Sequence, residues 1–118
     1  MNMIDAYINN NHLRLKLSNT PVTLRNGLMF VNYLPDLHGM LFVFKEVSIK
    51  NIWMRNTVIS LDILFINSDK KIVNLHNRAI PRDETNVNSI HPCKYIIELP
   101  GGNLEEYNIK IGDIVSFY

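Results

Sequence analysis

The stretch Gly39–Ile66, GMLFVFKEVSIKNIWMRNTVISLDILFI, decides how the rest of the chain is read. It holds three apolar runs, MLFVF, IKNIWM and LDILFI, each the length of a strand and rich in Ile, Val, Phe and Trp. Runs of this length and composition read as buried β-strands. Between the second and third runs sits a polar knot, Arg55-Asn56-Thr57, and Asp62 stands at the head of the third run. Packing of apolar groups does not account for these four residues, which makes them the first candidates for a site.

Working outward, His12–Leu17 alternates strictly, with Leu13, Leu15 and Leu17 on one side and His12, Arg14 and Lys16 on the other. That is the pattern of a half-buried antiparallel strand. Before it, residues 1–11 are polar, including the run Asn9–Asn11, and are expected to form a flexible N-terminal segment. Residues 12–118 are then expected to form a single β domain. Thr20-Pro21 is a helix start, with Thr as the capping residue and Pro at the first helical position. Leu24, Leu28 and Val31 follow at helical spacing, so a helix is predicted around Thr20–Tyr33. Gly27 lies inside it at a cost of about 1 kcal/mol relative to Ala. A loop is expected over Pro35–Gly39. Further strands are expected over Met40–Phe44, Ile49–Met54, Leu61–Ile66, Lys71–Leu75, Cys93–Leu99 and Ile114–Phe117. The third and fourth of these form a hairpin through the turn Asn67–Lys70. Pro81 and Pro92 bracket a polar loop, and Asn103 with Glu105 and Glu106 marks a short second helix. Seven or eight short strands with one or two short helices predict a mainly β fold, a small antiparallel β-sandwich or partly closed barrel.

Composition excludes several classes. A hydrophobic fraction of 47% against 19% charged residues is that of a globular core. A formal net charge of +1, with no Lys/Arg cluster larger than Lys70-Lys71, argues against a nucleic-acid surface. One cysteine, Cys93, excludes an internal disulfide and fits a reducing compartment. The first residues have neither a basic n-region nor an apolar h-region, and no apolar run approaches the ~20 residues of a membrane span. The expectation is therefore a cytoplasmic chain without a membrane span.

Metal and cofactor chemistry finds no motif. His12, His38, His76 and His91 are scattered and form neither HxH, HxxxH nor HExxH. Cys93 opens an apolar strand and reads as a buried, inert thiol. Met29, Met40 and Met54 read as packing and not as copper ligands. No cofactor is expected, and the sequence leaves the oligomeric state open.

The motifs GLM at 27–29, GMLFVF at 39–44, WMRNT at 53–57, LD at 61–62, FI at 65–66 and ELPGG at 98–102 occur in that order. In them the chain resembles the family catalogued as domain of unknown function 192, the uncharacterised ancient conserved region proteins, over about Leu13–Phe117. The resemblance implies a compact antiparallel β fold with a short helix carrying GLM, and no known enzyme activity. Many relatives carry an export signal that these first residues do not show. Relatives also carry Ala at the position of Gly101, so this chain departs from ELPAG at that turn.

Two readings of the knot stand side by side. In the plainer one, Asn56 and Thr57 tie up a tight connection, Asp62 caps a strand, and Trp53 is core. In the functional one, Trp53 is an aromatic floor, and Arg55, Asn56, Thr57 and Asp62 converge on a small polar pocket, with Arg25 or Arg55 as ionic partner of Asp62. Such a pocket suits a sugar-like or other small ligand and makes the chain a non-catalytic binding domain. The alternatives are a small hydrolase acting on a glycan-like substrate with Asp62 and Glu98 as paired carboxylates, and a structural module that binds protein partners through a sheet edge.

Overall fold

The computed structural model describes residues 2–34 and 37–118. Pro35 and Asp36, at the head of the expected loop, lie outside them. In chain order the elements are β1 (Met3–Ile8), β2 (Asn11–Ser18), α1 (Pro21–Asn26), β3 (Gly39–Ser48), β4 (Asn51–Ile52), β5 (Leu61–Ile66), β6 (Ile72–Ala79), β7 (Val87–Asn88), β8 (Cys93–Pro100), α2 (Asn103–Glu106) and β9 (Ser116–Phe117). Seven strands form one sheet in the order β6-β5-β8-β3-β2-β1-β9, and β4 pairs with β7 in a second, two-stranded sheet. All pairings are antiparallel except β2–β3. The large sheet curls into a half-barrel. Its two edges meet where Lys71 bridges Ile114, with Val115 N–H donating to the Lys70 carbonyl at 2.8 Å. The expected mainly β architecture takes the partly closed barrel form.

Both faces of the central strands are covered, and this explains the continuous apolar reading of LDILFI. All six residues of β5 are buried. Alternate side chains point to opposite faces of a strand. Leu64 and Ile66 enter the barrel interior with Leu13, Leu15, Leu41, Ile97 and Leu99. Leu61, Ile63 and Phe65 enter an outer core with Met40, Phe42, Met54 and Ile96. A strand buried on one face only would have shown the alternation seen in β2.

The structure corrects the expected flexible segment over residues 1–11. Met3–Ile8 is a strand paired with both β2 and β9, and Ala6 and Ile8 are buried in the interior core. Ile8 and Asn11 are Cα partners across a two-residue connection. Asn9 and Asn10 in that connection have φ of 50° and 65°. Positive φ at both central residues is what a tight hairpin turn requires, and Asn tolerates it better than most residues. The polar Asn run is therefore a turn signal.

The expected helix over Thr20–Tyr33 is also shorter. It begins as read, with Thr20 and Thr23 bonded in a capping box and Pro21 in the first turn. It stops after Asn26, because Gly27 takes φ 49° and ψ −128°, a conformation open to glycine and strained for other residues. Leu24, Leu28 and Val31 still pack on the outer core, Leu28 from a turn and not from a helix. The helix that reaches the barrel interior is α2, through Leu104.

The expected strand Ile49–Met54 shrinks to Asn51–Ile52, because its partner is only the short β7 inside the 81–92 loop. That loop braces the 51–57 segment further. Met54 N–H donates to the Asp83 carbonyl at 2.8 Å, and Arg82 N–H donates to the Thr57 carbonyl at 2.9 Å. β3 and β6 run longer than expected, to Ser48 and Ala79, both with register shifts. No helix among the described residues is long and apolar enough to cross a membrane.

Candidate functional site

The polar knot is first of all a turn. Thr57 N–H donates to the Met54 carbonyl at 3.0 Å, Asn56 adopts φ 54°, and Met54 is buried beneath. The Thr57 hydroxyl donates to the Arg55 carbonyl at 3.2 Å. Phe30 N–H donates to the Asn56 carbonyl at 2.8 Å, which ties this turn to the segment after GLM. Asn56 is exposed on the turn, which it enters at positive φ.

Asp62 does not join Arg55 or Arg25. It is fully buried, and its two oxygens take three backbone N–H groups. Oδ1 accepts from Arg78 at 2.7 Å, and Oδ2 accepts from Gly102 and Leu104, both at 2.9 Å. The Arg78 bond sits at the register shift between β5 and β6, where the carboxylate replaces a missing ladder partner. The other two bonds satisfy amides at the start of α2, whose own capping residue, Gly102, has no side chain to do so. LD and ELPGG thus meet in one piece of architecture. The ion pairs among the described residues, His12–Asp5 and Arg78–Glu105, do not include the Asp62 carboxylate.

The paired-carboxylate arrangement does not form either. Asp62 stands opposite Leu99 and Ile63 opposite Glu98, so Asp62 and Glu98 project to opposite faces of the sheet. A glycoside-cleaving pair needs both carboxyls in one cleft, flanking the bond to be broken, and a sheet lies between these two.

Glu98 lies instead on the outer face. Its neighbours there are Met40 on β3 and Ile63 on β5. It lines a cleft of about 220 Å³ together with Leu24, Arg25, Gly27, Phe42 and Trp53. Thr57 closes one wall, and no residue of the 81–92 loop takes part. A side chain on Gly27 would stand 3.8 Å from Glu98 Oε1 and 3.3 Å from the Phe42 ring, so the glycine gives the cleft its room. Glu98 is only 4% exposed, and no donor of the described residues bonds its carboxyl. Burial pushes that carboxyl up from 4.5 to about 7.

Three of the expected site residues, Arg25, Trp53 and Thr57, therefore share a cleft. Trp53 is not core but 41% exposed, with the Arg55 guanidinium 5.3 Å from its ring centroid. Asn56 and Asp62 serve turn and cap. Glu98 was weighed only as a partner for Asp62. The signal for its separate role is a single acid inside the apolar run YIIEL of β8. A second hollow of about 330 Å³, beside Tyr33, Leu34, Leu37 and Ile59, has no carboxyl on its wall among the described residues. Cys93 is buried, and burial raises its thiol, against a smaller opposing hydrogen bond with Ser89. Among the described residues no three His, Cys, Asp or Glu side chains come together as a metal site.

Comparison with known proteins bears on this arrangement. A crystal structure from Sinorhizobium meliloti 1021, described as a "putative transcription regulator", is similar with a TM-score of 0.94 and 30% identity, over 98% of this chain and 94% of that one. A crystal structure of a protein of unknown function from Novosphingobium aromaticivorans is similar with a TM-score of 0.86 and 33% identity, over 97% of this chain and 83% of that one. No curated protein matches. The family model for domain of unknown function 192, described as uncharacterized ACR, matches residues 4–117, and by that match the chain belongs to this family.

Proposed function

We propose that the chain is a binding domain that takes a small polar molecule in the cleft between the GLM turn, the Trp53 turn and β8. The observation that carries this reading is Glu98. Glu98 is a residue only 4% exposed whose carboxyl has no hydrogen-bond partner among the described residues, and such a group is costly to keep charged because little water reaches it. A ligand that bonds it removes that cost. The surroundings fit the role: apolar walls from Leu24 and Phe42, an exposed aromatic ring, and polar groups from Arg25, Asn26, Asn51 and Thr57.

Trp53 is the one tryptophan of the chain, so its emission reports directly on the cleft. The test is a thermal-shift and Trp53-emission screen against saccharides, nucleotides, amino acids and amines. A ligand at 100 times its Kd raises stability by about 2.7 kcal/mol. The expected hit moves both the melting temperature and the emission, and loses both effects in Glu98→Gln. A panel that moves neither, or hits that persist unchanged in Glu98→Gln, refutes the cleft as the binding site.

A further inference from the structure

The two buried carboxylates of this fold are treated in opposite ways. Asp62 accepts hydrogen bonds from three backbone N–H groups of its own chain. Glu98 receives none from the described residues and faces Met40 and Ile63 across the sheet. Backbone amides on β3, β5 and β8 are committed to the ladder and point along the sheet plane, not out of it. The compensation for Glu98 must therefore come from above the sheet, through the cleft.

What fills that role is constrained by the wall facing Glu98. Arg25 from α1 lines the cleft but makes no ion pair with Glu98 and stands exposed to solvent. Trp53 already carries a cation, since the Arg55 guanidinium lies 5.3 Å from its ring centroid. The face of an aromatic ring attracts a cation, and Trp53 is 41% exposed where it lines the cleft. A carboxylate beside a half-exposed indole is a pairing that stabilises positive charge from two directions.

We infer that the ligand of this cleft is a small organic cation, a primary amine or guanidine, whose charged nitrogen is held by the Glu98 carboxylate beside the Trp53 ring. The inference rests on the binding reading above and names the ligand class. A cleft of about 220 Å³ holds on the order of seven waters at ~30 Å³ each, so the cation is short, of the bulk of putrescine or agmatine and not a polymer.

The pH dependence has a definite sign. Amines and guanidines stay charged to about pH 10 and beyond, and the charged groups of the chain about the cleft are Arg25 on its wall and Arg55 over the Trp53 ring. Met40 and Ile63, beside Glu98 on β3 and β5, and Trp53 and Thr57 on the cleft wall carry no group that titrates there. Glu98 is then the group whose ionisation changes between pH 6 and pH 8, and with its midpoint at about 7 the ionised fraction rises about tenfold. A cation gains affinity as pH rises. A neutral hydroxyl ligand that accepts a proton from the acid form would lose it.

The experiment titrates the whole chain with putrescine, agmatine, 1,4-butanediol and methyl glucoside at pH 6 and pH 8, read by Trp53 emission and backbone amide NMR shifts. The expected result is binding of the two cations, about tenfold tighter at pH 8, with cleft amides moving and the diol inert. Glu98→Gln abolishes it. Trp53→Leu, a replacement at a half-exposed site, weakens it several-fold as read by NMR. Binding of butanediol or glucoside without the amines overturns the cation and leaves the cleft as a site. Amine binding that is pH-independent or survives Glu98→Gln also overturns it. Silence from all four probes overturns the inference, and the broader screen then decides separately whether the cleft binds anything.

Discussion

Glu98→Gln tests the electrostatics of the cleft without any ligand. In the folded chain burial holds the Glu98 carboxyl at about 7, against an ordinary 4.5. Its folded value is raised, so between pH 4.5 and 7 the folded state holds a proton that the unfolded state has released. The stabilising contribution of the neutral acid is fully present below pH 4.5. It is lost as pH rises, and the loss is complete above about 7. At ~1.36 kcal/mol per pH unit, the interval from 4.5 to about 7 corresponds to about 3 kcal/mol. Gln has nearly the same shape and no charge, so it escapes the loss. Urea unfolding at pH 4, 6 and 8 should show the variant equal to the parent at pH 4 and more stable by about 3 kcal/mol at pH 8. Unfolding entropy scales with length at ~2.1 cal/mol/K per residue, so for this chain the gain at pH 8 is about 12 °C in Tm. A difference between the two proteins that stays flat across this range would refute the buried, unpartnered state of Glu98. A difference of opposite sign would mean that Glu98 gains a cation from its own chain, with Arg25 as the nearest source on the cleft wall.

Asp62→Ala leaves the N–H groups of Arg78, Gly102 and Leu104 without their acceptor. The expected cost is roughly 3–5 kcal/mol by denaturant unfolding, with faster hydrogen exchange at those amides; a loss under about 1 kcal/mol would argue against the capping role. Gly101→Ala brings a Cβ to 2.6 Å from the Ser60 hydroxyl, which donates to the Ala79 carbonyl. The expected loss is about 1–3 kcal/mol in the parent chain and much less when Ser60→Gly is present, and equal losses in the two backgrounds would show that the contact is not the cause.

Strand existence was legible wherever burial differs between the two sides of a strand or covers both. β2 reads from its alternation, and β5 and β8 read from unbroken apolar runs. The hairpin between β5 and β6 reads from Asn67–Lys70. The family was legible from motif order alone. β1 was missed because its alternation of Ile4, Ala6 and Ile8 is short, and because the Asn run looked like disorder until Asn9 and Asn10 were seen at positive φ. The end of α1 depends on one glycine torsion, which helical spacing of leucines does not reveal. Local pattern reports which residues avoid water, and it reports turn chemistry within a few positions.

The division of roles among the polar residues was decided only by tertiary structure. Asp62 and Glu98 look alike in sequence, each a lone acid in an apolar strand. Strand pairing puts them on opposite faces. One meets the amides of α2 and β6, and the other meets Met40, Ile63 and the open cleft. Arg25, the pair Trp53 and Thr57, and Glu98 come from three separate segments, and nothing in the spacing of those segments brings them together. The sequence by itself determined that buried strands would form and where polar interruptions would need partners. Which partner each acid found follows from the order and register of strands distant in the chain, because a carboxylate's state is set by the few ångströms around it and not by its neighbours in sequence.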